Sequence, residues 1–216
     1  MNIAQKSARY ADLSDVSASA KFCVVVMERG NIRAFPSDRP MITDENREDG
    51  DGGKMTYLSK GKVTFREEPR NRSRPKFRQL SRDVSGEVFD IPEEHQVIFA
   101  YETLHGKSTL IGAICYKTAD SRLTEPDSTF DSDYYHVIAF LFVKGDFQCQ
   151  GVGRQLLDRA VLSMLSVTRR PIRVQSAERA VAFFEKMGFV QVGQPFESMC
   201  GPRLFKFLFN MEKIVK

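Results

Sequence analysis

The chain has 216 residues and a formal net charge of +4, and 42% of its residues are apolar. This composition excludes an intrinsically disordered chain and suits one globular domain with an extension. No apolar run approaches the roughly 20 residues that cross a bilayer, and the N-terminus lacks the apolar core of a secretory signal. We therefore expect an intracellular protein, cytoplasmic or nuclear, without a membrane partner.

The N-terminal 53 residues do not have the pattern of a complete domain. Phe22–Met27 predicts a buried strand, but residues 37–53 are polar, acidic and rich in glycine, which predicts a mobile stretch. We divide the chain into a partly disordered N-terminal extension, residues 1–53, and one domain, residues 54–216.

The first half of the predicted domain contains strands and one helix. Residues 55–66 read as a hairpin with a glycine turn, and residues 75–84 predict a short helix with one apolar face. Residues 96–102 and 109–116 predict two strands joined by a tight antiparallel turn.

The most informative feature is a strand, a glycine-containing loop and a helix in direct succession. An apolar run, His136–Val143, precedes the loop Gln148–Arg154, and residues 151–168 carry apolar side chains at helical spacing. Such a turn aims free backbone N–H groups and the positive end of the helix dipole at one point, which suits a phosphate. Gly151 and Gly153 would let the backbone approach that ligand closely.

Two common phosphate-binding motifs do not fit the loop. Gly153 is followed by Arg154 instead of the Lys-Ser/Thr of nucleotide triphosphatases, and Leu156 stands where the dinucleotide fingerprint requires a third glycine. The remaining chain predicts a strand at 172–176, a helix from 177 that ends at Gly188, and two final strands, the last at 204–211.

Two motifs in this order resemble the GCN5-related N-acetyltransferase (GNAT) superfamily. Gln148-x-x-Gly151-x-Gly153 resembles the family's Arg/Gln-x-x-Gly-x-Gly/Ala, and Ala180-x-x-Phe-Phe184-x-x-x-Gly-Phe resembles its second motif. The resemblance implies an α+β fold. The expected sheet is GNAT-like, mixed, mostly antiparallel and twisted, with flanking helices and a splayed central strand pair at the cofactor.

The resemblance also implies acetyl-CoA as co-substrate and no metal. Leu141, Phe142 and Val143 would offer backbone groups to the pantetheine arm, and the Leu141 N–H would stabilise the oxyanion of the thioester. Phe184 would pack against the arm. The residues expected to cradle the pyrophosphate are Gln148, Cys149, Gln150, Gly151, Val152, Gly153 and Arg154.

The catalytic acid and base of the family are not matched. The family's glutamate position falls on Val137 and its tyrosine position on Phe184, and neither side chain can transfer a proton. Tyr135 shares the face of Val137, so it is a candidate for binding substrate or relaying a proton through water, besides a packing role. His136 should point to the opposite face, as a structural residue.

The resemblance implies an N-acyltransferase with an amine acceptor, either a small molecule or a protein or peptide. The alternative is a GNAT-fold module that binds acyl-CoA with weak or no catalysis.

Seven Arg and Lys between Arg66 and Arg82 indicate a solvated face or, alternatively, a patch for an acidic partner such as the cofactor's 3′-phosphate. We do not expect a nucleic-acid partner. Cys149 replaces a common glycine, or else is a redox-sensing thiol.

Overall fold

The computed structural model describes residues 24–27, 61–128, 131–198 and 206–215, and for residues 24–27 it describes the backbone alone. The predicted mobile stretch at 37–53 and the first strand of the predicted hairpin at 55–58 lie outside the described residues. No helix in the described ranges is long and apolar enough to cross a bilayer.

The described residues form one mixed sheet and three α-helices. The strands are β1 (Val24–Met27), β2 (Lys62–Glu67), β3 (Gln96–Leu104), β4 (Lys107–Lys117), β5 (His136–Val143), β6 (Ile172–Ala177), β7 (Val190–Gln191), β8 (Phe196–Glu197) and β9 (Phe207–Lys213). The helices are α1 (Arg70–Ser85), α2 (Val152–Val167) and α3 (Glu178–Lys186).

The strand order in the sheet is β2-β3-β4-β5-β1-β6-β9-β7, and β8 also pairs with β9. Most pairs are antiparallel, but β1, β5 and β6 are parallel to one another. The predicted α+β fold with a mixed, mostly antiparallel sheet and a parted central strand pair is therefore confirmed. The predicted hairpin of β3 and β4 is also present, and it turns at His105 and Gly106, which both have positive φ.

The sheet is covered on both faces. On one face α1 packs Phe77, Leu80 and Val84, the three residues that gave the predicted helix its apolar face. On the other face α2 and α3 pack side chains such as Leu156 and Phe184. The structure thus has two hydrophobic cores separated by the sheet.

Helix α1 is longer than the sequence predicts. It begins at Arg70 instead of Pro75, because the proline removes only one intrahelical hydrogen bond and the preceding turn is closed by other groups. The Ser73 hydroxyl donates to the backbone carbonyls of Glu68 and Pro69 at 2.8 and 3.0 Å. A proline usually marks the first turn of a helix, and this preference misplaced the predicted start.

Strand β5 contains a β-bulge at Ala139. Cys115 of β4 faces Phe140, and the next β4 residue, Tyr116, faces Ile138, so that Ala139 has no partner of its own. Ala139 and Phe140 consequently both belong to the core beneath α1, and the alternation of faces is interrupted there. The last register pair of β5 with β6 is Ile138 with Val174, immediately before the bulge. The two strands part from this point onward.

Candidate functional site

The first component of the site is the backbone edge of β5 beyond the bulge. The Lys144 N–H donates to the Ile111 carbonyl of β4 at 2.9 Å. Successive residues of a strand alternate their backbone groups between its two edges, so the N–H and C=O groups of Leu141 and Val143 lie on the edge away from β4. This is the edge from which β6 has parted. By the same alternation Phe142 directs its backbone groups to β4, so of the three predicted residues only Leu141 and Val143 present theirs to this edge, which β1 occupies.

The second component is the start of α2. The Gln148 N–H donates to the Gly145 carbonyl at 3.0 Å, and the Gln155 N–H donates to the Gly151 carbonyl at 3.0 Å. Among the described residues, no hydrogen bond is donated by the intervening N–H groups, those of residues 149–154. The first turn of α2 also lacks an acidic residue, and no side chain caps it. Free donors and an uncompensated helix dipole favour an anion at this point.

The backbone of the loop is left-handed at two positions. Gly151 has φ of 80° and Cys149 has φ of 58°. A glycine adopts this conformation without strain, whereas a residue with a Cβ does so at a cost of about 1 kcal/mol or more. This conformation gives a physical reason why the resembled motif commonly has glycine where Cys149 stands. Cys149 is exposed.

Gly153 is a different case, because its conformation is helical. A Cβ added there would lie 3.6 Å from Val143 Cγ2 and 3.8 Å from the Phe183 ring, which are ordinary contact distances. The protein interior therefore does not require a glycine at this position. Gly153 is partly exposed at the beginning of α2, and the absence of a side chain there suits the close approach of a phosphate group.

The polar side chains of the loop mostly bind protein groups. The Gln148 side-chain amide donates to the Val143 carbonyl at 2.9 Å, which ties the loop to the end of β5. The Gln150 amide donates to the Asp146 carbonyl at 2.6 Å. Arg154 is exposed and pairs with the Asp158 carboxylate at 3.7 Å, one turn further along α2. Val152, the first residue of α2, is buried.

The two phenylalanines of α3 have different environments. Phe184 is fully buried, and its ring makes edge contacts with Phe183 at 5.1 Å and Phe189 at 5.2 Å between centroids. Phe183 is half-buried and borders Gly153. The sequence motif directed attention to Phe184 alone. The helical phase of the buried residues Ala180 and Phe184 is the signal that would have placed Phe183 beside the loop.

The structure does not bring Tyr135 to the loop. Tyr135 precedes β5 and therefore lies roughly 20 Å along the strand from Leu141, at about 3.3 Å per residue. The Arg173 guanidinium lies 3.6 Å from the centre of the Tyr135 ring. Val137 is buried in the core beneath α1.

His136 has the structural environment that the sequence predicts. Its Nδ1 accepts a hydrogen bond from the Ala119 N–H at 3.0 Å, so the neutral ring carries its proton on Nε2, which donates to the Thr168 carbonyl at 2.9 Å. Burial lowers the pKa of His136 below its ordinary value of 6.5.

Several basic residues of the Arg66–Arg82 stretch have partners within the protein. Lys76 pairs with Glu68 at 2.7 Å, and Arg74 pairs with Asp90 at 2.8 Å. Hydrogen bonds from Lys76 and Tyr101, together with the charge of Lys76, lower the pKa of Glu68 despite its partial burial. Lys76 and Arg74 therefore fit the interpretation of the basic stretch as a solvated helix face, which is one of the two interpretations that the sequence allows.

Comparison with known proteins places the same segments in one family. The model of the GNAT acetyltransferase domain matches residues 86–200, which is more than half of the chain. This match contains the bulged strand, the loop and both α2 and α3.

Three solved structures illustrate the fold. A chain of the NatC complex bound to Gag peptide and CoA is 14% identical over 71% of this chain and 99% of that chain, with a TM-score of 0.53. The ribosomal-protein-S18-alanine N-acetyltransferase from Escherichia coli is 15% identical over 70% and 93%, with a TM-score of 0.50. A Corynebacterium glutamicum protein described as histone acetyltransferase HPA2 and related acetyltransferase is 13% identical over 71% and 97%, also at 0.50. At these identities the likeness shows the fold.

Proposed function

The chain belongs to the GNAT acetyltransferase family, and from this premise we propose that it is an N-acyltransferase that moves the acetyl group of acetyl-CoA to an amine. The acceptor is an amine-bearing small molecule or an amino group of a protein or peptide. Acyl transfer in general follows from the family. The choice of acetyl-CoA and of an amine acceptor is the proposal.

One observation carries the proposal. Six consecutive backbone N–H groups, those of residues 149–154, make no hydrogen bond within the described chain, and they lie at the positive end of the α2 dipole. These donors and the loop glycines fit a pyrophosphate, and the edge of β5 from which β6 has parted fits an extended arm with amide groups when β1 does not occupy it. Coenzyme A joins these two parts.

The proposed roles of the residues follow from where their groups point. The N–H groups of Cys149, Gln150, Gly151, Val152, Gly153 and Arg154 hold the pyrophosphate, while Gln148 fixes the loop through the Val143 carbonyl. Bound acetyl-CoA supplies the acyl group as a thioester. The Leu141 N–H is directed to the edge from which β6 has parted, where it donates to the thioester oxygen as negative charge develops there. Phe142 and Val143 continue the strand that aligns the arm, and Phe184 supports α3 beside it.

Deprotonation of the acceptor is assigned to water. A lysine-type amine has a pKa of about 10.4 and is mostly protonated at neutral pH, so its proton must be removed before attack. Val137 and Phe184 stand at the two family positions and have no titratable group. Tyr135 stays a candidate only for binding a part of the acceptor away from its reacting amine, because Tyr135 lies roughly 20 Å along the strand from Leu141.

The substitution Gly153→Ala tests the proposal. The added methyl group meets only ordinary contacts within the protein, and alanine favours a helix over glycine by about 1 kcal/mol, so the variant should be at least as stable as the wild type. The methyl group should nevertheless obstruct the approach of the pyrophosphate and weaken CoA binding at least about tenfold, or about 1.4 kcal/mol. Isothermal titration calorimetry with CoA measures the affinity, and thermal unfolding measures the stability.

The matched control is Ser166→Ala, at an exposed position in the last turn of the same helix. This variant should bind CoA as the wild type does. Equal affinity of Gly153→Ala and wild type would contradict the assignment of the pyrophosphate to the loop.

A binding module without catalysis is the second candidate, and the absence of a proton-transferring side chain at Val137 and Phe184 favours it. Release of free CoA thiol from acetyl-CoA, assayed with peptides and polyamines, separates the two functions. Turnover that is lost in Gly153→Ala supports the enzyme. CoA binding without turnover on any amine supports the module.

A further inference from the structure

The parted strands of the sheet are filled by a segment of the chain itself. β5 pairs with β6 only from His136 to Ile138, and beyond the bulge its parallel partner is β1. The register pairs run from Val24 with Phe140 to Met27 with Val143, and Val25 also pairs with Ser176 of β6. β1 therefore lies between β5 and β6 as a central strand.

β1 occupies the edge that the proposed function assigns to the ligand. Val25 is the register partner of Leu141, and Met27 is the partner of Val143. These two β5 residues direct their N–H and C=O groups away from β4, as the Lys144 bond to Ile111 indicates. A backbone group paired with β1 cannot at the same time bind the amides of a pantetheine arm. The two occupants exclude each other.

β1 is not part of the segment by which the chain matches the GNAT family. The match to the GNAT domain begins at residue 86, so β1 lies outside the segment that defines the domain. β1 is also only four residues long, and its sequence Val-Val-Val-Met has a high preference for strand structure. β1 adds to the sheet by strand pairing, in the way that extended peptides bind to exposed strand edges.

We propose that β1 is an intramolecular competitor of the coenzyme, which autoinhibits the protein when it is docked between β5 and β6. Docking lowers the fraction of molecules that are competent to bind, and the apparent dissociation constant rises in inverse proportion to that fraction. The inference rests on the proposed function, because it takes the same edge of β5 as the place of the pantetheine arm.

The substitution Val26→Pro in the full chain tests the competition. Proline has no N–H and is not compatible with a strand that is paired on both sides, so β1 should no longer dock. If the competent form of the wild type is populated at about 1–10%, CoA should bind the variant about 10- to 100-fold more tightly. Val26→Ile keeps the N–H and the strand preference, so it should bind as the wild type does. Calorimetric titration with CoA gives the three affinities.

The outcomes separate this inference from the proposed function. Tighter binding by Val26→Pro alone supports autoinhibition. Equal, measurable affinity in all three proteins overturns the competitor and leaves the proposed function intact. No binding by any of the three overturns both.

Hydrogen exchange of the wild-type chain decides the matter should Val26→Pro fail to fold. The amides of Val24–Met27 should exchange slowly in the free protein and rapidly in the presence of saturating CoA. Protection that saturating CoA leaves unchanged, or an absence of protection in the free protein, would contradict the docked strand as a competitor.

Discussion

The side chain of His136 joins three segments of the protein. It is fully buried at the start of β5, and its two nitrogens hold the backbone at Ala119, after β4, and at Thr168, after α2. Because Nδ1 must stay unprotonated to accept the Ala119 bond, the native structure favours the neutral ring. Burial is the main cause that lowers the pKa of His136, and the nearby positive charge of Arg170 lowers this pKa further.

This lowered pKa predicts a stability that depends on pH. The folded protein binds fewer protons at His136 than the unfolded protein, so the contribution to stability is complete above about pH 6.5 and is lost as the pH falls toward the lower folded pKa. His136→Asn should reduce the free energy of unfolding at pH 7.5 by about 1–3 kcal/mol, because buried hydrogen bonds are lost. The variant should also lose less stability than the wild type when the pH falls below 6.5.

Urea unfolding at several pH values between 7.5 and 5 measures both effects. Burial also lowers the pKa of His95, but His95 is present in both proteins, so the difference between their pH profiles reports His136. Parallel profiles for wild type and variant would show that His136 has no role in the pH dependence.

The positions of individual residues could be predicted where they depend on the backbone, and less well where they depend on how side chains pack. The loop glycines and the edge of β5 follow from the order of strand, loop and helix, which local sequence patterns determine. The environments of Phe183 and Phe184 depend on how α3 is rotated against the sheet. A match to a sequence motif does not show how the helix is rotated, whereas the spacing of its apolar residues shows which face is buried.

At the scale of elements, a nearly buried ion pair fixes β6 against β9. Arg173 and Glu212 are register partners, and the guanidinium approaches the carboxylate at 2.6 Å. Their side chains are only 10% and 15% exposed. The pair therefore holds the antiparallel register of β6, the strand on the other side of β1 from β5.

Removal of one partner should be costly. Arg173→Met leaves the Glu212 carboxylate nearly buried without its cation, and the free energy of unfolding should fall by about 2–4 kcal/mol. The double variant Arg173→Met with Glu212→Met should recover part of this loss, because no unpaired charge remains. Chemical denaturation of the single and double variants gives the coupling energy as a double-mutant cycle. If the free energy of unfolding of Arg173→Met fell by less than about 0.5 kcal/mol, the ion pair would contribute little to stability.

The elements themselves were largely predictable. The hairpin of β3 and β4, the strand β5 and the two helices that follow it have patterns that are local and strongly periodic. The predicted start of α1 was wrong because the rule for proline is statistical, while the hydrogen bonds of the Ser73 hydroxyl to Glu68 and Pro69 close the turn before Pro75. Local periodicity also gave no sign of the bulge at Ala139, since a single inserted residue leaves an uninterrupted apolar run unchanged.

For the whole molecule, the order of the strands in the sheet is the property that local sequence patterns could not predict. The sequence predicts that Phe22–Met27 is a strand, and β1 confirms this for Val24–Met27. Its position between β5 and β6 depends on pairing with segments more than 100 residues away, which depends on the whole sheet. The parting of β5 and β6, in contrast, was expected from the family resemblance and is confirmed.

Every proposed role of this protein depends on coenzyme A binding to the backbone amides that begin α2. An NMR titration of the isotopically labelled full chain with CoA tests this claim most directly, because it reports each amide separately. We predict saturable shifts of the amides of residues 149–154, together with those of Leu141 and Val143. An absence of saturable shifts, or saturable shifts confined to amides remote from the loop and β5, would contradict the account.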